Sequence, residues 1–230
     1  MAVLKRGNAI SVKDINEGLK FAKNFLYNTV DKNTVLFLSG GGTPKPLYQD
    51  LAKEKKLEVG AVGMVDERLV PPFDLNTNEK MIKDTGLMDY FVSKKIPFYS
   101  ILRLHPRGAK QYDKTVRCLF AKFEKHIAIM GIGEDGHIAG LPAKSQISNL
   151  KSQNYVIGIS DFPGEFKKRI TLTFKALSEM DLLIVLVFGF AKKNVLNLMF
   201  AKGSEEEIPA RFFKRPDIAK KTIVITDQKA

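Results

Sequence analysis

The stretch Val35-Leu-Phe-Leu-Ser39-Gly-Gly-Gly-Thr43-Pro44 decides the fold class, because an unbroken apolar run is followed at once by a glycine turn. A strand without polar alternation is buried on both faces, which is typical of a parallel sheet covered by helices. The three glycines allow the backbone to turn sharply. Thr43 suits the N-cap of the following helix and Pro44 suits its first position. The stretch therefore predicts a buried strand, a tight turn and the start of a helix.

The same order of apolar run, abrupt loop and helix-compatible stretch appears at least three more times. The runs 59–65, 127–130 and 182–188 end at Asp66-Glu-Arg68, Gly131 and Gly189. No repeat, low-complexity tract or linker divides the chain. We predict one α/β domain over residues 1–230, a doubly wound, mainly parallel sheet with helices on both faces. Ligands of such sheets bind beyond the carboxyl ends of the strands, where all four loops are expected.

A first helix is predicted over residues 12–26. Ser11 with Asp14 resembles a capping box, and apolar residues recur at helical spacing. They are Ile15, Leu19, Ala22 and Leu26.

The net charge of +12 indicates a basic surface. Its lysines are scattered in pairs such as Lys55-Lys56 and Lys167-Lys168, without one stripe of interleaved aromatics. We interpret them mainly as a solvated surface and expect no nucleic-acid partner; attraction of a small anionic substrate is the alternative. The hydrophobic fraction of 44% is enough for a sizeable core.

The expected location is the cytoplasm. The lone Cys118 forms no internal disulfide, which indicates a reducing compartment, and we expect it to be a small buried hydrophobe and not a nucleophile. Residues 1–10 have no apolar segment typical of a signal peptide. The most apolar run, 182–191, is about half the length that spans a bilayer, so no membrane partner is expected. The sequence does not fix the oligomeric state.

The glycine turn after the first apolar run is a candidate phosphate site. A helix N-terminus presents bare N–H groups to an anion. No Gly-Lys-Ser/Thr follows, so the turn is not a P-loop. The alternative is a tight strand-to-helix connection without a ligand. The residues expected to bind phosphate here are Ser39, Gly40, Gly41, Gly42 and Thr43.

The loop after the third run contains a carboxylate and an imidazole, Asp135 and His137. Histidine can act as a general base at neutral pH, and a nearby carboxylate can orient it. The segment Gly131–Gly136 formally matches a dinucleotide fingerprint, but Pro142 follows too soon for the long helix that the fingerprint requires. A lone structural histidine is the alternative. His105 and His126 have no comparable context, and His126 is expected at a strand start.

Three cations are further candidates, and two of them, Arg68 and Lys192, follow apolar runs. Arg68, behind Asp66, suits a phosphate or an oxyanion, with a surface salt-bridge cluster as the alternative. Arg169 could also reach an anion. Lys192, after Gly189, is expected in an exposed position, where it either binds an anion or is simply solvated. With no Gly-x-Ser-x-Gly, His-Glu-x-x-His or zinc-spaced Cys/His cluster, we expect no acyl-enzyme, no metal and no cofactor.

Together these loops resemble the superfamily of 6-phosphogluconolactonases and glucosamine-6-phosphate deaminases over residues 36–227. Six motifs fall in the family's order: Ser39-Gly-Gly-Gly-Thr-Pro44, Asp66-Glu-Arg68 with Val70-Pro71 and Thr77-Asn78, Gly131-x-Gly-x-Asp-Gly-His137, Arg169-Ile-Thr-Leu-Thr173, Gly189-x-x-Lys192 and Pro209-Ala210.

Two departures from the family patterns point in different directions. Ile138-Ala-Gly-Leu-Pro142 is similar to deaminases, since lactonases have Thr-Ala-Ser-Leu-Phe-Pro there. However, the glutamate that partners the deaminase histidine is absent, its place falling at Leu141 or in a deletion, and deaminases have tyrosine where Arg68 stands. The balance favours a lactonase.

The resemblance implies hydrolysis of 6-phospho-D-glucono-1,5-lactone to 6-phospho-D-gluconate, the second step of the oxidative pentose phosphate pathway. It implies that His137 deprotonates a water, Asp135 holds the imidazole and Arg68 stabilises the oxyanion or the phosphate. The glycine turn, Arg169 and Lys192 would hold the phosphate. Two alternatives stay open: a deaminase/isomerase in which Asp66 moves a proton between carbons, and a non-catalytic sugar-phosphate-binding protein.

Overall fold

The computed structural model describes residues 9–70, 75–102, 108–144 and 152–228, so His105 and Pro71 lie outside the described residues. The described strands are β1 (Ala9–Ser11), β2 (Thr34–Leu38), β3 (Ala61–Met64), β4 (Asp66–Arg68), β5 (Lys125–Gly131), β6 (Val156–Ile159), β7 (Arg169–Leu172), β8 (Leu182–Val187) and β9 (Thr222–Thr226). The described α-helices are α1 (Ile15–Thr29), α2 (Lys45–Glu54), α3 (Asn78–Asp84), α4 (Leu87–Ser93), α5 (Gly108–Lys122), α6 (Phe174–Ser178), α7 (Lys193–Phe200) and α8 (Pro216–Ala219). The described part of the chain also contains the 3-10 helices Phe190–Lys192 and Pro209–Lys214.

Six strands form a fully parallel sheet in the order β1-β9-β8-β5-β2-β3, flanked by helices. This confirms the predicted α/β class and the strands expected near 35–38, 127–130 and 182–188. Every residue of β2 is fully buried, as its unbroken apolar sequence predicts. The central strands thus form the middle of one hydrophobic core.

The sheet has a switch point between β2 and β5. From β2 the chain moves outward to β3, and it later returns to the other side of β2 as β5. The connections after β2 and β5 therefore leave in opposite directions, and a crevice opens above the carboxyl ends of these two strands.

A second, small sheet was not predicted. Strands β4, β7 and β6 pair antiparallel in that order. Asp66-Glu-Arg68, expected as a loop, is therefore a short strand. Its charged sequence shows no alternation, and it becomes a strand because β7 supplies a pairing partner.

Helices α1 and α2 both begin later in the sequence than predicted. The first helix begins at Ile15 and not at residue 12, because Asp14 caps it by accepting from the Glu17 N–H at 2.9 Å. Ser11 belongs to β1 instead. α2 begins at Lys45 with Pro44 at the N-cap position and no side-chain cap, so Thr43 is not the cap.

The prediction of a buried Cys118 was wrong, because this thiol is exposed. In α5 the core side consists of Tyr112, Val116 and Leu119, and position 118 falls outside that stripe. His126 is the second residue of β5, as expected.

Across the described ranges, no helix combines the length and apolar character needed to cross a bilayer.

Candidate active site

A cleft of about 470 Å³ opens at the switch point and brings together every residue predicted to form the site. They are Ser39, Gly40, Gly41, Gly42, Thr43, Asp66, Arg68, Asp135, His137, Arg169 and Lys192. Their chain positions span 154 residues of sequence, from 39 to 192, so the fold and not local sequence makes them neighbours. The roles assigned to them stay predictions.

The glycine turn forms one wall of the cleft. The Ser39 N–H donates to the Ile129 carbonyl at 3.1 Å, and the Tyr48 hydroxyl donates to the Ser39 carbonyl at 2.9 Å. Both backbone groups at the start of the turn are therefore hydrogen-bonded. The Ser39 hydroxyl is buried and has no hydrogen-bond partner within the described part of the chain. A buried hydroxyl without a partner is unfavourable, and a polar ligand atom would satisfy it.

Asp135 and His137 form a hydrogen-bonded pair on the opposite wall. Oδ1 of Asp135 lies 2.6 Å from Nδ1 of His137 and also accepts from the His137 N–H at 3.1 Å. Partial burial alone would raise the pKa of the Asp135 carboxyl, but its hydrogen bonds with His137 outweigh burial and lower that pKa to about 2. A carboxylate in this position favours the imidazole tautomer with its proton on Nδ1, in which Nε2 is an acceptor.

Gly133 is required by this pair. A β-carbon built on Gly133 would overlap the His137 ring, at far less than contact distance from Cε1 and Nδ1. The glycine thus allows the backbone to fold back against the imidazole. The segment after Gly136 forms isolated bridges and turns up to residue 144 and no helix, so the dinucleotide interpretation has no support here.

Arg68 and Arg169 are direct partners across the antiparallel pair β4–β7. Side chains directly opposite on such a pair point to the same face, and like charges there repel. Oδ2 of Asp66 lies 3.7 Å from Nη1 of Arg169. Burial raises the pKa of Asp66, and Arg169, His137 and Arg68 oppose that shift. The two guanidinium groups, with one buried acid between them, concentrate positive charge at this end of the cleft, which favours an anionic ligand there.

Glu67 holds the Arg68 end of the cleft in place. Its carboxylate is fully buried and accepts from the N–H groups of Arg68 and Asn78 at 2.7 Å and of Glu79 at 2.8 Å. Burial raises the pKa of Glu67 to about 7 against these three hydrogen bonds. Asn78 in turn donates from Nδ2 to the Asp66 carbonyl at 3.0 Å.

Lys192 is half-buried, so the prediction of an exposed position was wrong. Its Nζ donates to the Ile132 carbonyl at 2.7 Å, which draws the side chain back over the loop after β5. Burial lowers the pKa of Lys192, and Glu134 and Asp135 oppose the shift. The ammonium still lines the cleft, and it has two further hydrogens for a ligand.

Sequence reasoning did not assign several residues that line the cleft. The most prominent are Asn78, which appeared only in the family pattern, and Phe162 with Pro163. Asp161-Phe-Pro-Gly164, a turn signal shortly before Arg169, could have indicated a hairpin and with it Phe162.

Among the described residues, no three His, Cys, Asp or Glu side chains are grouped closely enough to hold a metal ion.

Comparison with known proteins gives one consistent family. A family model described as glucosamine-6-phosphate isomerases/6-phosphogluconolactonase matches residues 20–224. The chain is 29% identical over 185 residues to a 6-phosphogluconolactonase of Rhizobium meliloti (strain 1021), covering 78% of this chain and 79% of that protein. It is 30% identical over 179 residues to a 6-phosphogluconolactonase of Chlamydia pneumoniae, covering 74% and 67%.

Solved structures show the same fold. A 6-phosphogluconolactonase from Plasmodium vivax has a TM-score of 0.78 at 19% identity, covering 100% of this chain and 94% of that one. A monomeric glucosamine-6-phosphate deaminase has a TM-score of 0.72, also at 19% identity, covering 95% and 97%. Because both similarities are strong, the fold alone does not separate the two activities.

Proposed function

Because the chain belongs to the glucosamine-6-phosphate isomerase/6-phosphogluconolactonase family, we propose that it hydrolyses 6-phospho-D-glucono-1,5-lactone to 6-phospho-D-gluconate. The observation that carries the proposal is the 2.6 Å contact between Asp135 and His137 at a cleft that also contains two opposed arginines. The first pair can activate a water, and the second can neutralise a phosphate. A phosphorylated lactone needs both.

In the proposed reaction, Nε2 of His137 accepts a proton from a water whose oxygen attacks the lactone carbonyl carbon. Asp135 stabilises the imidazolium that forms. The tetrahedral intermediate then breaks the bond between the carbonyl carbon and the ring oxygen. His137 returns its proton to that oxygen as it becomes the sugar hydroxyl, and the acid product loses a proton to solvent.

The rest of the cleft is suited to two negative charges, the phosphate and the developing oxyanion. Arg68, Arg169 and Lys192 supply the cations. The glycine turn supplies N–H groups and the Ser39 hydroxyl, which has no hydrogen-bond partner among the described residues. Holding the phosphate fixes the reacting carbonyl near His137, and such orientation lowers the barrier without new chemistry.

The deaminase alternative has less support in the contacts of His137. The deaminase glutamate aligns with Leu141 or with a deletion, and Leu141 is fully buried in the apolar core and offers no carboxylate. Asp66 is the acid that a sugar isomerisation would use to move a proton. Its Oδ2 lies 3.7 Å from Nη1 of Arg169, so this carboxylate already has a cationic partner. A lactonase needs neither group as a proton carrier.

The test is a comparison of two substrates with the purified protein. We expect hydrolysis of 6-phosphogluconolactone above its spontaneous rate and no ammonia from glucosamine 6-phosphate. Ammonia release without lactonase activity would replace the proposal with a deaminase. Binding of 6-phosphogluconate with neither activity would indicate a non-catalytic sugar-phosphate-binding protein.

A further inference from the structure

The loop between β6 and β7, residues 160–168, places a phenylalanine against each arginine of the cleft. Cζ of Arg169 lies 3.5 Å from the centroid of the Phe162 ring, and Cζ of Arg68 lies 5.1 Å from that of Phe166. A guanidinium over an aromatic face is attracted by the ring quadrupole. That contact leaves the edge of the guanidinium, where its N–H groups are, for other partners.

Phe162 is the more firmly held of the two rings. It is only 3% exposed, and its N–H donates to the Lys167 carbonyl at 2.9 Å, which closes the loop. The same ring meets the imidazole of His137 edge-on, with centroids 5.2 Å apart and planes at 88°. One side chain therefore contacts both the proposed base and a proposed phosphate ligand.

The two arginines need such support because they are opposed like charges. Arg169 is also fixed from the same loop by its Nε donating to the Phe166 carbonyl at 3.4 Å, and by Asp66 on Nη1. A long side chain held in this way loses less conformational freedom when an anion binds.

We propose that Phe162 is a positioning residue that presents the Arg169 guanidinium to the substrate phosphate, and that Phe166 does the same more weakly for Arg68. This inference rests on the proposed function for the identity of the anion. Replacing the Phe162 ring removes one of the contacts that hold Arg169, and ordering one long side chain on binding corresponds to a rise of about three- to tenfold in KM. The value of kcat should change much less, because Asp135 continues to hold His137.

The experiment compares Phe162→Leu, Phe162→Tyr and Phe166→Leu with a matched control, Phe120→Leu. Phe120 also stacks on a histidine, His126, with centroids 4.3 Å apart, but it lies in α5 away from the cleft. Thermal unfolding of each variant accompanies the measurement of kcat and KM. We expect the rise in KM to be largest for Phe162→Leu, smaller for Phe166→Leu and absent for Phe120→Leu, with Phe162→Tyr close to wild type because it keeps the ring face.

A second readout separates this inference from the proposed function. The affinity for inorganic phosphate, measured by calorimetry, should fall with Phe162→Leu by the same factor as KM rises, and it can be measured even if the wild type is inactive on the lactone. An inactive wild type would contradict only the proposed function. An unchanged phosphate affinity for Phe162→Leu, or an equal loss with Phe120→Leu, would overturn the positioning role. If Phe162→Leu does not fold, Phe166→Leu decides by the same two measures, since Phe166 is half-buried.

Discussion

The side chain of Asn78 occupies the space that a β-carbon on Gly40 would need, with Oδ1 and Cγ both inside contact distance. Gly40 belongs to the turn after β2, whereas Asn78 begins α3 and donates to the Asp66 carbonyl at 3.0 Å. The contact therefore joins the glycine turn to β4, the strand that ends in Arg68. One glycine and one amide thus bring the glycine turn and β4 into direct contact.

Gly40→Ala should disturb both stability and activity. The added methyl group meets the buried Asn78, so we expect a loss of about 1–3 kcal/mol in the free energy of unfolding, as for overpacked cores. kcat/KM should fall by about tenfold or more as the walls separate. The stability control is Gly42→Ala, where a β-carbon meets nothing within 4 Å. Equal stability losses for the two variants in urea unfolding would show that the Asn78 contact is unimportant.

Asp135→Asn should lower kcat while leaving KM and the fold nearly unchanged. The amide cannot stabilise an imidazolium and no longer enforces the proton on Nδ1 of His137, so we expect a loss of about 10²–10⁴-fold. Glu134→Gln is the matched control, because it removes the same charge from the preceding residue of the loop. Similar values of kcat for both variants would mean that any negative charge near His137 is sufficient and that the hydrogen bond with Asp135 is not needed.

Glu67 should make the stability of the protein depend on pH. Its folded-state pKa of about 7 lies above its ordinary value of 4.5, so the folded protein binds more protons than the unfolded chain between these values. The contribution of Glu67 to stability is therefore fully present below about pH 4.5 and declines until about pH 7, by up to about 3 kcal/mol.

The measurement is urea unfolding of wild type and Glu67→Gln from about pH 4 to about pH 8. We expect the wild type to lose stability relative to Glu67→Gln as pH rises through this window. Glu58→Gln, at an exposed glutamate, controls for the loss of one carboxylate. Parallel curves for wild type and Glu67→Gln would contradict the raised pKa.

Lys192→Met should raise KM for the phosphorylated substrate and change thermal stability little. A charge-assisted hydrogen bond contributes about 1.5–3 kcal/mol, which corresponds to roughly 10- to 150-fold in KM. Lys193→Met, the adjacent exposed lysine, is the control. Inorganic phosphate should protect wild type and Lys193→Met against heat, but Lys192→Met far less. Equal protection of all three would exclude Lys192 as a phosphate ligand.

The sequence allowed prediction of the parallel sheet and of the residues that meet at its edge, because long apolar runs and the loops after them obey general rules of α/β sheets. It did not reveal the small antiparallel sheet. β4 is a charged three-residue segment, and only its pairing with β7 makes Arg68 and Arg169 neighbours. Sequence reasoning also assigned no role to Phe162, because its contacts with Arg169 and His137 join parts of the chain that are separate in sequence. The exposure of Lys192 was misjudged because the Ile132 carbonyl that holds it is 60 residues away in sequence.

In the proposed reaction, His137 activates the attacking water. The most direct test is the initial rate of 6-phosphogluconolactone hydrolysis by wild type and His137→Asn near neutral pH, with spontaneous hydrolysis subtracted and thermal unfolding measured in parallel. We predict that kcat falls by about 10²–10⁴-fold in His137→Asn while the protein remains folded and still binds inorganic phosphate. A folded His137→Asn variant that hydrolyses the lactone at the wild-type rate would contradict the claim.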